Sequence, residues 1–231
     1  MSAHPGGAPD VPEGMNPDAA ETWPSPELIA SWLGSEAYEL EPLGPGEGAP
    51  VPTDDPARQA QARHFRDVLG RFASGVTVVT AMSGGEPVGM TCQSFSSVSL
   101  DPPLVLFVPA KTSRAWPLIQ RSGRFCVNFL ADGQAELSNQ MASRGSEKFA
   151  GVAWHPSEAT GSPVLEGTLA HVDCSVHAVH EAGDHWIVIG QVLHLATAEE
   201  DPAADAAADP ADPSSHADPL VFYRGSYRTT R

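Results

Sequence analysis

Residues 75–108 read GVTVVTAMSGGEPVGMTCQSFSSVSLDPPLVLFV, and this stretch decides the fold. Segment 75–82 alternates and is rich in β-branched residues, which suits a pleated strand. Ser83-Gly84-Gly85 tolerates the positive φ of a tight hairpin, so the chain turns there and returns along PVGMTCQSF, 87–95. SVSLDPPLVLFV, 97–108, is two short strands divided at Asp101-Pro102-Pro103, because proline cannot donate into a ladder. Further strands follow at 125–130 (FCVNFL), 169–180, 185–197 and 220–223. Helices are expected at 62–74, 114–121 and 134–143. In the first, Phe65, Val68, Leu69, Phe72 and Ala73 form one apolar face; in the last, Leu137 and Met141 are spaced i, i+4. Many short strands, hairpin turns and few helices predict a mainly β domain, a closed antiparallel barrel. GxGxxG and GxxxxGK[ST] are both absent, which argues against a Rossmann domain and a P-loop NTPase.

The length of 231 residues suits one domain with additions. Charge separates the additions from the domain. Residues 1–61 hold 11 acids and one base, residues 62–200 hold 13 acids and 9 bases, and residues 201–231 hold 5 acids and 3 bases. Residues 1–57 are read as an acidic, Pro/Gly-rich, largely disordered arm, because such composition buries too little apolar surface to offset its ordering entropy. Inside it, Ser25-Pro26-Glu27 starts a short apolar-periodic piece (Leu28, Ile29, Trp32, Leu33) that Gly34 closes. Residues 58–231 form the domain, with an acidic Ala/Pro-rich insert at 201–219. The net charge of −16 argues against nucleic-acid binding. No apolar run approaches a membrane span and the N-terminus lacks the regions of a signal peptide. Cys92, Cys126 and Cys174 form no framework of pairs. The expectation is a soluble, cytoplasmic protein.

Two polar stretches could carry function. Residues 89–99 pack five hydroxyls and one amide into an apolar barrel. They could cradle a phosphate or a heterocycle's edge, or be merely a Ser/Thr-rich exposed face. Lys111-Thr112-Ser113-Arg114 sets two cations around two hydroxyls at a helix start, either a phosphate clamp or an ordinary cap with solvated charges. Gly183-Asp184-His185-Trp186 places a histidine at a hairpin tip, where it could meet a planar ligand or simply be solvated. His171, Asp173, Cys174, His177 and His180 are not spaced as metal ligands on a regular strand, so no metal site is expected.

The ordered set GVTVVTA, GMTCQSFSSVSLDPPLVLF, FCVNFL, GDHWIVIGQV and PLVFYRGSY resembles the flavin reductase-like domain family, the reductase components of two-component flavin-dependent monooxygenases. The resemblance covers residues 62–197 and 218–228. It implies an FMN-binding split barrel, a six-stranded antiparallel Greek-key fold with flanking helices, assembled as a homodimer. It implies an NAD(P)H:flavin oxidoreductase in which NADH or NADPH reduces FMN or FAD, and the reduced flavin diffuses to a partner monooxygenase. Carried over by position, Thr91, Cys92, Gln93, Ser94, Phe95, Ser96, Ser97 and Val98 line the flavin. Asp101 and Pro102 shape the wall behind its ring. Lys111, Thr112, Ser113 and Arg114 lie on the phosphate side. Asp184, His185, Arg224 and Tyr227 face the nicotinamide, with His185 positioning it. The alternatives on this fold are a non-catalytic flavin- or haem-binding module and a pyridoxamine-phosphate-oxidase-like enzyme.

Overall fold

The computed structural model describes residues 55–145, 147–198 and 218–230. The apolar piece at Leu28–Leu33, the arm up to residue 54 and most of the insert at 201–219 lie outside these described residues.

The opening stretch folds as two hairpins. β2 (Thr77–Ser83) and β3 (Glu86–Cys92) pair from Thr77↔Cys92 to Ser83↔Glu86. Gly84 and Gly85 turn between them at φ 63° and 88°, backbone that matches the twist of the flanking strands. β4 (Ser96–Leu100) and β5 (Pro103–Phe107) form the second hairpin, bent at Asp101-Pro102. With β6 (Arg124–Phe129), β9 (Ala170–Ala182) and β10 (His185–Thr197) they make one antiparallel sheet ordered β3-β2-β6-β9-β10-β5-β4. The sheet has seven strands where the resemblance implied six, and segment 96–107 supplies two of them on either side of the Asp101-Pro102 turn, as its sequence predicts.

The sheet rolls up. One apolar cluster draws Cys92 from one edge strand and Val105 and Phe107 from the strand beside the other edge, together with Val79, Phe125, Val127, Cys174 and Val188 between them. A flat sheet would hold these positions far apart. Ser94, in the link from β3 to β4, extends the β4–β5 pairing through its side chain: its Oγ accepts from Val108 N at 2.9 Å and donates to Val108 O at 3.3 Å. The helix Trp116–Ser122 plugs this barrel with Trp116 and Ile119, and Trp116 meets the Phe107 ring edge-on at 5.7 Å. Gly190 admits Phe125 against β10; a Cβ there would lie 2.5 Å from Phe125 Cζ.

A second core, Val76, Val78, Leu130, Met141, Leu165 and Leu220, includes Met141 of the helix Ala135–Ala142. Packed with it are the sheet of β1 (Ser74–Gly75), β11 (Val221–Tyr223) and β12 (Ser226–Arg228), and the pair β7 (Trp154–Pro156) and β8 (Pro163–Leu165). Strands of two or three residues carry no readable alternation, so β1, β7, β8 and β12 were not expected from the sequence. Fully buried Asn128 fastens β8 to the barrel by donating to Val78 O and Pro163 O and accepting from Leu165 N at 2.8 Å.

The first helix spans Pro56–Leu69 rather than 62–74. Asp55 caps it by accepting from Ala57 N at 2.9 Å, and Pro56 takes the first position, where its missing N–H costs nothing. Gly70 closes it, its N–H donating to Arg66 O at 2.7 Å, in a place where a Cβ would stand 2.8 Å from that oxygen. This helix therefore begins inside the region assigned to the arm. The apolar face of this helix is exposed, with Phe65 at 63%, Val68 at 50% and Leu69 at 54%, and Phe72 and Ala73 fall beyond its end. No helix among the described residues is long and apolar enough to cross a membrane.

Candidate active site

Segment 108–114 is where the candidate residues meet. On one side Ser94 bonds Val108, and Ser113 Oγ lies 3.7 Å from Met90 Sδ while accepting from Trp116 N at 3.2 Å, which caps the helix behind it. On the other side the β9–β10 tip docks through two backbone hydrogen bonds: Lys111 N donates to Asp184 O at 2.9 Å and Trp186 N to Pro109 O at 2.9 Å. The polar end of β3 and the Asp184-His185-Trp186 tip thus flank one loop.

The tip has its own electrostatics. His185 Nδ1 lies 2.7 Å from Asp184 Oδ1. A bond from Nδ1–H to the carboxylate fixes the ring's orientation and leaves Nε2 as the nitrogen that can meet a ligand. That bond, then the charges of His185 and Lys111, hold the Asp184 carboxyl below its ordinary value. Lys111 Nζ pairs with Glu181 and sits 5.1 Å over the half-buried Trp186 ring, a cation–π contact. The sequence put Lys111 on a phosphate side; the structure gives it a carboxylate partner seventy residues away.

On the β3 side, Thr91 Oγ1 donates to Ser138 O at 2.6 Å, and buried Cys92 has its Sγ 3.0 Å from Ser94 Oγ. Phe95 packs on Phe129 at 5.1 Å between ring centres. Gln93, Ser96, Ser97, Val98 and Thr112 are exposed. Asp101 and Pro102 are exposed too, but they stand at the opposite end of the β4–β5 hairpin from the Ser94–Val108 contact. Tyr227 joins the β3 side: its hydroxyl lies 2.8 Å from Ser138 Oγ and donates to Asn139 Oδ1 at 3.0 Å. Arg224, at φ 52°, forms the β11–β12 turn and donates its N–H to Gly70 O at 2.8 Å. Tyr227 and Arg224 are thereby set with the helix Ala135–Ala142 and the first helix, and no described contact joins either to His185.

Several residues had no sequence signal. Trp186 and Glu181 are recognisable only once Lys111 is seen between them. Ser138 links Thr91 to Tyr227 across a helix. Lys148 sits half-buried and donates to Gly89 O at 3.1 Å and Met141 O at 2.8 Å. Burial, then repulsion from Arg114, lowers Lys148 to about 8. Burial pushes the Cys174 thiol up to about 12 and raises Cys126 as well, so neither supplies a thiolate nucleophile.

Residues 69–231 match the flavin reductase like domain. The chain belongs to that family. It is 48% identical over 178 residues to a protein of Rhodococcus jostii named as the reductase subunit HsaB of a flavin-dependent monooxygenase, covering 76% of this chain and 83% of that one. Among solved structures it is similar to nitrilotriacetate monooxygenase component B from Mycobacterium thermoresistibile, with 47% identity, a TM-score of 0.65, and coverage of 75% of this chain and 89% of that chain. It is also similar to the NADH:FAD oxidoreductase of Streptomyces globisporus in complex with NAD and FAD fragments, with 34% identity, a TM-score of 0.61, and coverage of 78% and 98%. The split barrel expected from the sequence is the fold of these flavin reductases.

Proposed function

We propose that this flavin reductase family member is an NADH:flavin oxidoreductase that reduces FMN or FAD and supplies it to a flavin-dependent monooxygenase. The observation that carries this is the meeting of two unlike surfaces on the 108–114 loop: the hydroxyl-bearing end of β3, and a tip presenting His185 beside Trp186. The donor set fits a flavin. Exposed Ser96 and Ser97 offer hydroxyls for a heterocycle's edge, His185 and Trp186 offer planar faces, and Arg114 and Lys148 offer cations for a phosphate.

When bound, the flavin accepts hydride from the nicotinamide, and the chemistry belongs to the two cofactors. The chain's residues bind and orient. His185, held by Asp184, positions the nicotinamide; the 91–98 segment holds the flavin; Trp186 keeps water from the tip side. Cys92, buried against Ser94, acts as a strut of that segment. The protein works as a cytoplasmic homodimer.

Steady-state NADH oxidation, with and without added free flavin, tests the proposal. The expected result is oxidation that depends on free flavin. No NADH oxidation would indicate a binding module, and activity toward a pyridoxal-type amine without NADH would indicate an oxidase.

A further inference from the structure

We propose that two copies of this chain exchange apolar surfaces: the first helix of each, Pro56–Leu69, seats on the β4–β10 end of its mate's barrel. This rests on the homodimer reading above and names the surfaces that make it.

The large exposed apolar side chains among the described residues fall into two groups. Phe65, Val68 and Leu69 line the first helix, with Phe72 just beyond its end. Val98, Leu100, Leu193 and Leu195 make the second. Strand register brings this second group together. Leu100 pairs with Pro103, its neighbour Leu104 pairs with Gln191, and from there β10 runs on to Thr197 with only β9 paired to it. Val98 and Leu193 each fall at a register shift, where the regular alternation of side chains is broken. The result is an apolar end of the sheet with an open strand edge, on which Leu100 is 94% exposed. Soluble monomers rarely keep such patches bare, and apolar strand edges are ordinarily paired or covered.

The helix needs a cover as much. None of its 14 residues is buried, and its end is held at Gly70, whose carbonyl accepts from Arg224 N at 2.8 Å. A helix of this length is marginal in water by its own hydrogen bonds, and a packed apolar face supplies the missing stability.

Charge selects the pairing. The helix carries Arg58, Arg63 and Arg66 against Asp67 and the capping Asp55. Segments 96–107 and 188–197 of the barrel end carry Asp101 and no lysine or arginine. Helix against helix would set arginines facing arginines, and barrel end against barrel end would leave both helices bare. Helix against barrel end joins unlike charges and covers both groups. Made reciprocally about a two-fold axis, the contact closes at two copies instead of growing a filament. Val98 also ends the segment assigned above to the flavin. On that reading the mate's helix walls one side of the flavin site, and two chains complete it.

Sedimentation of the full chain as wild type, Phe65→Glu and Leu195→Glu tests the exchange, with circular dichroism to verify that each variant is folded. The wild type should sediment as a dimer, and each variant should raise its dissociation constant by about 30-fold or more, the loss of an anchoring side chain. A monomeric wild type would overturn the homodimer reading itself; a wild-type dimer that either variant leaves intact would overturn only the exchange. Cross-linking reads the same contact without breaking it. Cys92, Cys126 and Cys174 are buried, so thiols placed at the surface are the reactive ones. Phe65→Cys chains mixed with Leu100→Cys chains should link through a short bis-maleimide, and neither should link to itself. Self-linking of either without linking of the mixture would make the contact helix to helix or end to end, and would overturn the proposal. Flavin fluorescence then tests the shared site: the dissociated Phe65→Glu chain should bind FMN about 10-fold or more weakly. Unchanged affinity would place the flavin within one chain and overturn the shared wall.

Discussion

On one flank of the 108–114 loop, Lys111 pairs with Glu181 and Asp184 hydrogen-bonds His185 near the surface, and the tip is docked by backbone hydrogen bonds. On the other flank, Lys148 is half-buried against two carbonyls with Arg114 for a neighbour, and Thr91, Ser138, Tyr227 and Asn139 form a hydrogen-bonded chain behind it. The tip is electrostatically complete without a ligand; the β3 flank is not. A tip satisfied in itself can exchange its partner with little reorganisation, which suits a substrate that comes and goes. A half-buried cation held by neutral carbonyls favours a ligand that brings negative charge. Substitutions on the two flanks should therefore differ in kind: the β3 flank should show in stability and flavin affinity, the tip in kinetics.

The largest stability effect expected is Tyr227→Phe. It leaves the fully buried Ser138 Oγ without its 2.8 Å partner. Unfolding should become easier by about 1–3 kcal/mol, read as a lower melting temperature. An unchanged melting temperature would mean that the hydroxyl chain does not bind this flank together.

His185→Ala comes next. Loss of a positioning contact should lower kcat/KM for NADH by about 5- to 30-fold while flavin affinity stays within a few-fold. Equal losses on both sides would erase the division between the flanks.

The titration of Lys148 sharpens the comparison further. Unfolded, the lysine keeps its proton up to its ordinary value of 10.5; folded, it releases it at about 8. Between those values the unfolded chain binds more protons, so stability rises with pH there. The melting temperature of the ligand-free wild type, relative to Lys148→Met, should climb through that window. Bound FMN should flatten the climb, because an anion restores the charged form. A flat profile without ligand would mean that Lys148 is not under strain.

Lys111→Met should do least. An exposed pair contributes about 0.2–1 kcal/mol, so melting temperature and FMN affinity should barely change. A loss of FMN affinity as large as that of Lys148→Met would reverse the assignment of the two lysines.

The two lysines also mark what the sequence could reveal. The hairpins, the Pro-divided strand pair and the motif order were legible, because local alternation and turn chemistry are written into consecutive residues. Lys111 looked like a phosphate ligand because it precedes two hydroxyls and a helix; Glu181 cancels it only across the fold. Lys148 looked like nothing, since a lysine becomes unusual through burial and neighbours that come from β3, the helix Ala135–Ala142 and the 108–114 loop. The first helix shows the same limit in reverse. Its periodic apolar face was legible, but periodicity does not say that the face is covered, and Phe65, Val68 and Leu69 are exposed.

The proposed reductase uses flavin as a substrate that leaves rather than as a group that stays. Anaerobic mixing of the protein with NADH and free flavin, both in large excess over protein, tests it directly. The predicted result is complete bleaching of the whole flavin pool, many equivalents per subunit. Bleaching that stops at one equivalent per subunit, with the remaining flavin still oxidised, would contradict it and make the protein a fixed flavin carrier.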